Sequence, residues 1–329
     1  MKKAFSIFAA GLLAAGLSSL GAAGGAVAGE TWDMPTPYGD GNFHTVNIKA
    51  FAEDVKAATK GALEIKIHSA GSLFKHPEIK NAVRGGQVPI GEFLLSRLSN
   101  ENPIFAVDSV PFLATDYAAA GKLWAASRAM TEALFDRQGL QVLYAVPWPP
   151  QGIYANKELN SVDDLKGLKF RAYNAATERL AQLAGAVPTQ IELADIAQAF
   201  STGRVEAMIT SPSTGVNHKT WDFLSHFYHT QAWLPKNIVV VNKKAFARLD
   251  SPVQAAVLAA AEKAEARGWQ ASRDETEKMV KILGDNGMKI SAPGPALNSG
   301  LQAIGKTMTD EWAAQTGADG AAILKAYRG

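Results

Sequence analysis

A helical stripe late in the chain sets the scale of whatever the chain folds into. Val253, Val257, Ala261, Ala264, Trp269, Met279, Val280 and Leu283 keep helical spacing from Ser251 to a stop signal at Asp285-Asn286-Gly287. Ser251 reads as an N-cap, Pro252 suits the first helical position and Gln254 completes a capping box. At about 1.5 Å of rise per residue this helix approaches roughly 50 Å, longer than one small domain is wide. It is therefore expected to lie across two domains, with Gly268 as the place where it would kink.

The other end of the chain reads as a targeting device. Lys2 and Lys3 form a basic start, an apolar run extends from Ala4 to about Leu20, and small residues end in Ala26-Val27-Ala28, a cleavage pattern. A membrane anchor needs roughly 20 apolar residues with charged flanks, and here the downstream flank is a Gly/Ala tract with no Cys to be lipidated. The expectation is a signal peptide over residues 1–28, cleaved near Ala28, and a soluble exported, periplasmic protein. Without Lys2 and Lys3 the chain carries 31 basic and 31 acidic residues. Zero net charge argues against nucleic acid, whose binding domains are strongly basic. The absence of Cys excludes a disulfide framework and Cys-based zinc sites. The 301 residues from Gly29 onward are enough for two domains with ordinary cores.

Between the two ends, strand and helix patterns alternate. Thr31 to Met34 opens as a strand, and a helix from Asn42 carries Phe43, Val46, Phe51, Val55 and Ala58. After Gly61, Leu63, Ile65 and Ile67 alternate with Glu64, Lys66 and His68, completing a parallel crossover unit. A short helix over Pro77 to Val83, a strand over Val88 to Leu94, a helix over Tyr117 to Phe135 and a strand over Leu140 to Val146 follow. Pro147-Trp148-Pro149-Pro150-Gln151-Gly152 is a rigid turn and the one candidate boundary. Beyond it come strands at Ile153 to Asn156 and around Arg171, helices at Ala175 to Ala184 and Leu193 to Phe200, and a strand at Val205 to Thr210. Ser213 to Phe223 reads as helix, and Phe227 to Trp233 and Ile238 to Asn242 as strands.

One segment carries a recognisable chemistry. In Asp163-Asp164-Leu165-Lys166-Gly167-Leu168-Lys169-Phe170-Arg171-Ala172-Tyr173-Asn174 an acidic helix start and a glycine stop lead into an apolar strand bearing one Arg. A planar fork of donors held near a strand end suits bidentate capture of a carboxylate, although an Arg paired to a structural Asp at a sheet edge would read the same way. The segment from Ser161 to Arg171 resembles the motif of the solute-binding proteins of tripartite ATP-independent periplasmic (TRAP) transporters. Further pieces match in order and spacing: Ala70-Gly71-Ser72-Leu73, Val110-Pro111-Phe112-Leu113, Gly185-Ala186-Val187-Pro188 and Phe200-Ser201-Thr202-Gly203-Arg204-Val205-Glu206. The resemblance covers roughly Thr31 to Tyr327. It implies a two-lobed α/β fold hinged between lobes and spanned by a long helix. Residues 29–148 with about 236–270 would form one lobe, and 149–235 with about 271–329 the other. It also implies that Arg171 holds a substrate carboxylate, that the partners are TRAP permease subunits in the membrane, and that transport energy comes from the permease's ion gradient.

The chain departs from the family in two places. The Asn that often touches the carboxylate is replaced by Thr210 or Ser211, and a second Arg shortly before the Arg171 strand is missing from Pro150-Gln151-Gly152-Ile153-Tyr154. A single cleft Arg favours a monocarboxylate. Tyr38, Phe93, Trp148, Tyr173 and Trp233 fall at strand ends or loops where a cleft between lobes would be lined, which favours a flat or apolar ligand body, although core packing explains each as well. Gln151 and Asn237, beside the two crossings between lobes, and Asn174, at a helix start, complete the candidate set. Glu92 would accept a ligand hydroxyl or pair with Arg97. His226 and His229 face opposite ways on a strand, so no metal site is expected, and no motif calls for a cofactor. The reading is a monomeric binding protein for a small organic acid, not an enzyme. Two rivals are a binding protein of an ATP-driven importer, against which the Arg171 motif and the long helix weigh, and an exported α/β hydrolase, for which no nucleophile elbow occurs.

Overall fold

Two larger sheets and a separate two-stranded parallel pair organise the chain. The computed structural model describes residues 29–329, so the leader reading lies outside the described residues. In chain order the first stretch comprises β1 (Glu30–Pro35), α1 (Phe43–Ala58), β2 (Leu63–His68), α2 (His76–Arg84), β3 (Ile90–Leu94), α3 (Tyr117–Asp136) and β4 (Leu140–Pro147). The second comprises β5 (Gly152–Ala155), β6 (Lys169–Ala172), α4 (Ala175–Leu183), β7 (Val187–Gln190), α5 (Ile196–Ser201), β8 (Ala207–Thr210), α6 (Pro212–Asn217) and β9 (His226–Tyr228). The chain closes with β10 (Lys236–Asn242), α7 (Lys243–Ala247), α8 (Ser251–Asp285), β11 (Lys289–Ser291) and α9 (Pro295–Arg328).

β1 and β2 pair in parallel, as the strand–helix–strand alternation predicts. β3, β10 and β4 form a three-stranded antiparallel sheet, and β11-β9-β5-β8-β6-β7 a six-stranded mixed one. The chain leaves the first sheet at Pro147, enters the second at Gly152, and returns between Tyr228 and Lys236. The result is a two-lobed α/β protein whose lobes are wired by short crossings. No helix among the described residues is long and apolar enough to cross a membrane.

α8 runs without interruption and touches both lobes, packing on α1 and β4 of the first and on α6 and β11 of the second. Gly268 is not a kink. A Cβ there would lie 2.4 Å from Val146 Cγ2 and 2.7 Å from Asn47 Nδ2, so the glycine lets the helix backbone approach β4. The expected capping box is absent: Asp250 is the N-cap, no side chain caps the helix, and Gln254 Nε2 instead donates to the Leu249 carbonyl. Two further expectations need correction. The helix after Ser213 ends at Asn217, since Lys219 adopts a left-handed φ of 47°. The strand expected to reach Trp233 stops at Tyr228, and Gln231 is left-handed. β7, α7, β11 and α9 have no counterpart in the sequence reading: the first three are only three to five residues long, and α9 is broken by a non-helical Gly317. α9 nonetheless seals the core with Leu297, Leu301, Ile304 and Met308, while Trp312, Ile323 and Leu324 pack near Leu123.

The first lobe contains an acid that the core isolates. Glu92 on β3 is buried, accepts a hydrogen bond from Thr36 Oγ1 at 2.7 Å and lies 3.5 Å from His44 Nδ1. It does not pair with Arg97, whose guanidinium reaches Glu192. Burial lifts the Glu92 carboxyl from 4.5 to about 7. A raised carboxyl pKa means that the folded state keeps a proton which the unfolded chain has already lost. Stability from this group is thus complete below 4.5 and declines as pH rises to about 7.

Two tests follow from this packing. Gly268→Ala is expected to destabilise the protein by about 1–3 kcal/mol through overpacking against β4. Gly121→Ala on α3, where a Cβ would sit at an ordinary 3.8 Å from Trp269, is expected to stabilise it by about 0.5–1 kcal/mol; denaturant titration measures both. The melting temperature of Glu92→Gln, relative to wild type, is expected to rise by several degrees between pH 5 and pH 8. A difference that stays constant with pH would show that Glu92 is not held protonated.

Candidate ligand-binding site

Arg171 reaches its position through a chain of local causes. Ser161 and Asp164 form a reciprocal capping box around the turn Val162–Leu165. Gly167, with φ of 74°, reverses the chain into β6, which lies parallel to β7 and β8. Its third residue is Arg171, only 2% exposed. Nε donates to the Ile191 carbonyl at 3.2 Å, and the guanidinium lies 5.2 Å from the Tyr173 ring centroid. Its two terminal nitrogens have no acceptor, and no carboxylate pairs with it, among the described residues. Burial, and in smaller part the like charge of Arg97, lower its pKa to about 10. It remains a cation at neutral pH.

The side chain borders a cavity between the lobes. Tyr38, His76, Leu94 and Arg97 line it from the first lobe, and Trp148 and Pro235 from the two crossings. Gln151, Tyr173, Glu192, Leu193, Thr210, Ser211 and Thr214 line it with Arg171 from the second. Seven of the predicted residues therefore meet at one cavity: Arg171, Trp148, Gln151, Tyr38, Tyr173, Thr210 and Ser211.

Five others stand back from it. Phe93 packs in the first lobe's core against Phe135, and Glu92 is enclosed beside Thr36 and His44. Asn174 caps α4 through Thr177 N–H and donates from Nδ2 to Ser96 Oγ, spending both ends of its amide. Trp233 is fully buried in the return crossing. Asn237 lies behind the wall, where its Oδ1 accepts from Tyr38 Oη at 3.0 Å and Trp148 Nε1 at 2.9 Å. One buried amide thus orients two cavity aromatics.

These bonds settle the polarity that the wall presents. Tyr38 donates its only hydroxyl proton to Asn237, and Tyr173 donates its own to Gln151 Oε1 at 3.1 Å. Each phenol oxygen retains only acceptor capacity, and at Tyr173 the Trp233 side chain lies within hydrogen-bonding reach of it. His76 Nε2 accepts the Leu94 N–H at 3.1 Å, which puts the ring proton on Nδ1. Burial, with Arg97 acting in the same direction, pushes the His76 pKa well below its ordinary value. The cavity therefore has one buried cation, a neutral imidazole donor and phenol acceptors.

Seven lining residues lie outside the candidates read from the sequence, Leu94, Leu193, Thr214 and Pro235 among them, and the three with ionisable side chains are His76, Arg97 and Glu192. Arg97 corrects the expectation of a single cleft arginine: a second one borders the cavity from the turn Leu95–Leu98, although Glu192 holds it at 2.7 Å. No spacing in the sequence connects these three, since each comes from a different element. Among the described residues no group of three or more His, Asp or Glu could hold a metal ion.

This geometry has close counterparts among known proteins. The structure superposes with a TM-score of 0.90 on DctP7, a Bordetella pertussis extracytoplasmic solute receptor binding pyroglutamic acid, at 48% identity over 91% of this chain and 100% of that one. It superposes with a TM-score of 0.89 on a marine metagenome TRAP solute-binding protein specific for pyroglutamate, at 44% identity over 91% of this chain and 99% of that one. Across 84% of both chains it is 24% identical to the C4-dicarboxylate-binding periplasmic protein DctP of Rhodobacter capsulatus. The sequence model of the DctP family, described as bacterial extracellular solute-binding protein, family 7, matches residues 38–316. The chain accordingly belongs to this family, the periplasmic solute-binding proteins of TRAP transporters.

Proposed function

We propose that this protein captures pyroglutamate, or a small cyclic monocarboxylate like it, in the periplasm and delivers it to a TRAP-type permease. The observation that carries the reading is Arg171: a buried guanidinium with two free donors on a cavity between lobes. An isolated buried charge is unfavourable unless an anion pairs with it, and a carboxylate matches the fork bidentately. Pyroglutamate adds a lactam, whose N–H and C=O are matched by the phenol acceptors and by the His76 donor. The 44–48% identity to proteins described as binding pyroglutamate supports the same choice. The ring faces would lie against Trp148, Tyr38 and Tyr173, so the flat body expected from the sequence is retained without an aromatic ligand.

The mechanism is closure of one lobe on the other. We assign residues 29–148 with about 236–270 to one lobe and 149–235 with about 271–329 to the other. Rotation would occur about the crossings at Pro147 to Gly152 and Tyr228 to Lys236. Ligand favours the closed state by its excess affinity for that state over the open one. No step of this cycle requires catalysis by the chain.

Arg171→Ala is expected to weaken pyroglutamate binding by about 2–5 kcal/mol, roughly 30- to several-thousand-fold. Its ligand-free melting temperature should stay equal or rise, because a buried unpaired charge is removed. A change in calorimetric affinity below threefold would take Arg171 out of its role, and Arg171→Lys should recover only part of the binding. In a thermal-shift panel pyroglutamate should give a larger shift than succinate, malate or sialic acid. Small-angle scattering should show a smaller radius of gyration at saturating pyroglutamate; an unchanged radius would refute lobe closure.

A further inference from the structure

The second arginine of the cavity is already occupied. Arg97 Nη2 donates to Glu192 Oε1 at 2.7 Å and Nη1 to the Tyr173 carbonyl at 3.0 Å. Beside it, Ser96 Oγ accepts from Asn174 Nδ2 at 2.9 Å. Two consecutive residues of the first lobe thus make three bonds to the second, at the edge of the cavity. Arg97 has no other acidic partner and Glu192 no other cationic one among the described residues. At Arg171 the two charges act in opposite senses: Arg97 lowers its pKa and Glu192 raises it. Of two guanidinium groups on the cavity wall, the pair leaves one uncompensated positive charge.

We propose that Glu192 is a specificity-determining residue that restricts the site to ligands with a single carboxylate. The proposal rests on the reading of Arg171 as the carboxylate anchor. A second carboxylate on a ligand of similar length would meet the Glu192 anion and could reach Arg97 only by displacing it. Like-charge opposition of this kind rejects the wrong ligand as effectively as new contacts select the right one. Pyroglutamate, whose second acyl group is closed into a neutral lactam, has no such conflict.

The test is calorimetry with pyroglutamate and glutarate on wild type, Glu192→Gln, Glu192→Asp and the double variant Arg97→Gln/Glu192→Gln. Wild type should prefer pyroglutamate strongly. Glu192→Gln should bind glutarate more tightly than wild type does and narrow the preference by roughly tenfold or more, the scale of one well-placed charge. Glu192→Asp, which keeps the charge, should keep the wild-type preference, and the double variant should lose the gained glutarate affinity. An interlobe tie with no part in selection would behave differently: Glu192→Gln would weaken both ligands in proportion, and that outcome overturns the assignment while leaving the pyroglutamate reading intact. Failure of wild type to bind pyroglutamate or any other small monocarboxylate would overturn the anchor reading and this proposal together.

Discussion

The rest of the structure is arranged around a buried cation that the protein does not neutralise. Other interior cations are paired: Lys236 with Asp108, Lys80 with Glu101, and Arg97 with Glu192. Among the described residues, Arg171 is a cation held 2% exposed with only its Nε satisfied, by a backbone carbonyl. A charge in that position lowers the stability of the ligand-free protein, and the deficit is recovered when an anion enters. Under the proposed function, a carboxylate ligand would complete the fold's electrostatics as well as fill its cavity.

Holding such a group between two lobes requires that the lobes be rigid themselves and joined sparingly. β6 sets Arg171 in a sheet, with β7 and β8 on either side. Asn237, on the central strand of the other sheet, fixes Tyr38 and Trp148 through a single oxygen. α8 lies across both lobes, and Gly268 lets its backbone close onto β4 where any side chain would collide. Tyr38 and Trp148 are thus oriented from behind the wall by Asn237, whereas Tyr173 is held by Gln151 within it.

Much of this was legible beforehand. Alternation in Leu63 to His68 and the helical stripe from Ser251 gave the parallel crossover and the spanning helix, because period and length are local properties. The Ser161 to Arg171 segment carried its own capping box, glycine turn and strand, so Arg171 could be singled out before any coordinates. Phe93 and Trp233 show where pattern reading stops. Both are aromatic residues beside a strand end or crossing, yet Phe93 faces its own lobe's core and Trp233 is enclosed in the return crossing. Which face of an element meets the cleft depends on what packs against the opposite face.

The chain's sequence by itself determined the α/β class from local periodicity, and the family, with the two-lobe layout it implies, from short motifs in a fixed order; it also singled out Arg171, whose motif is continuous in the chain. Only the tertiary structure decided that a second arginine reaches the cavity, that Glu192 compensates it, and that His76 is a neutral donor. Arg97 comes from a turn after β3, Glu192 from the segment after β7, and the His76 tautomer from the Leu94 amide. Hydrogen bonds and ion pairs between distant segments depend on distances of about 3 Å that no spacing along a chain encodes. The charge offered to a ligand is a sum over such pairs, and it exists only once the lobes have met.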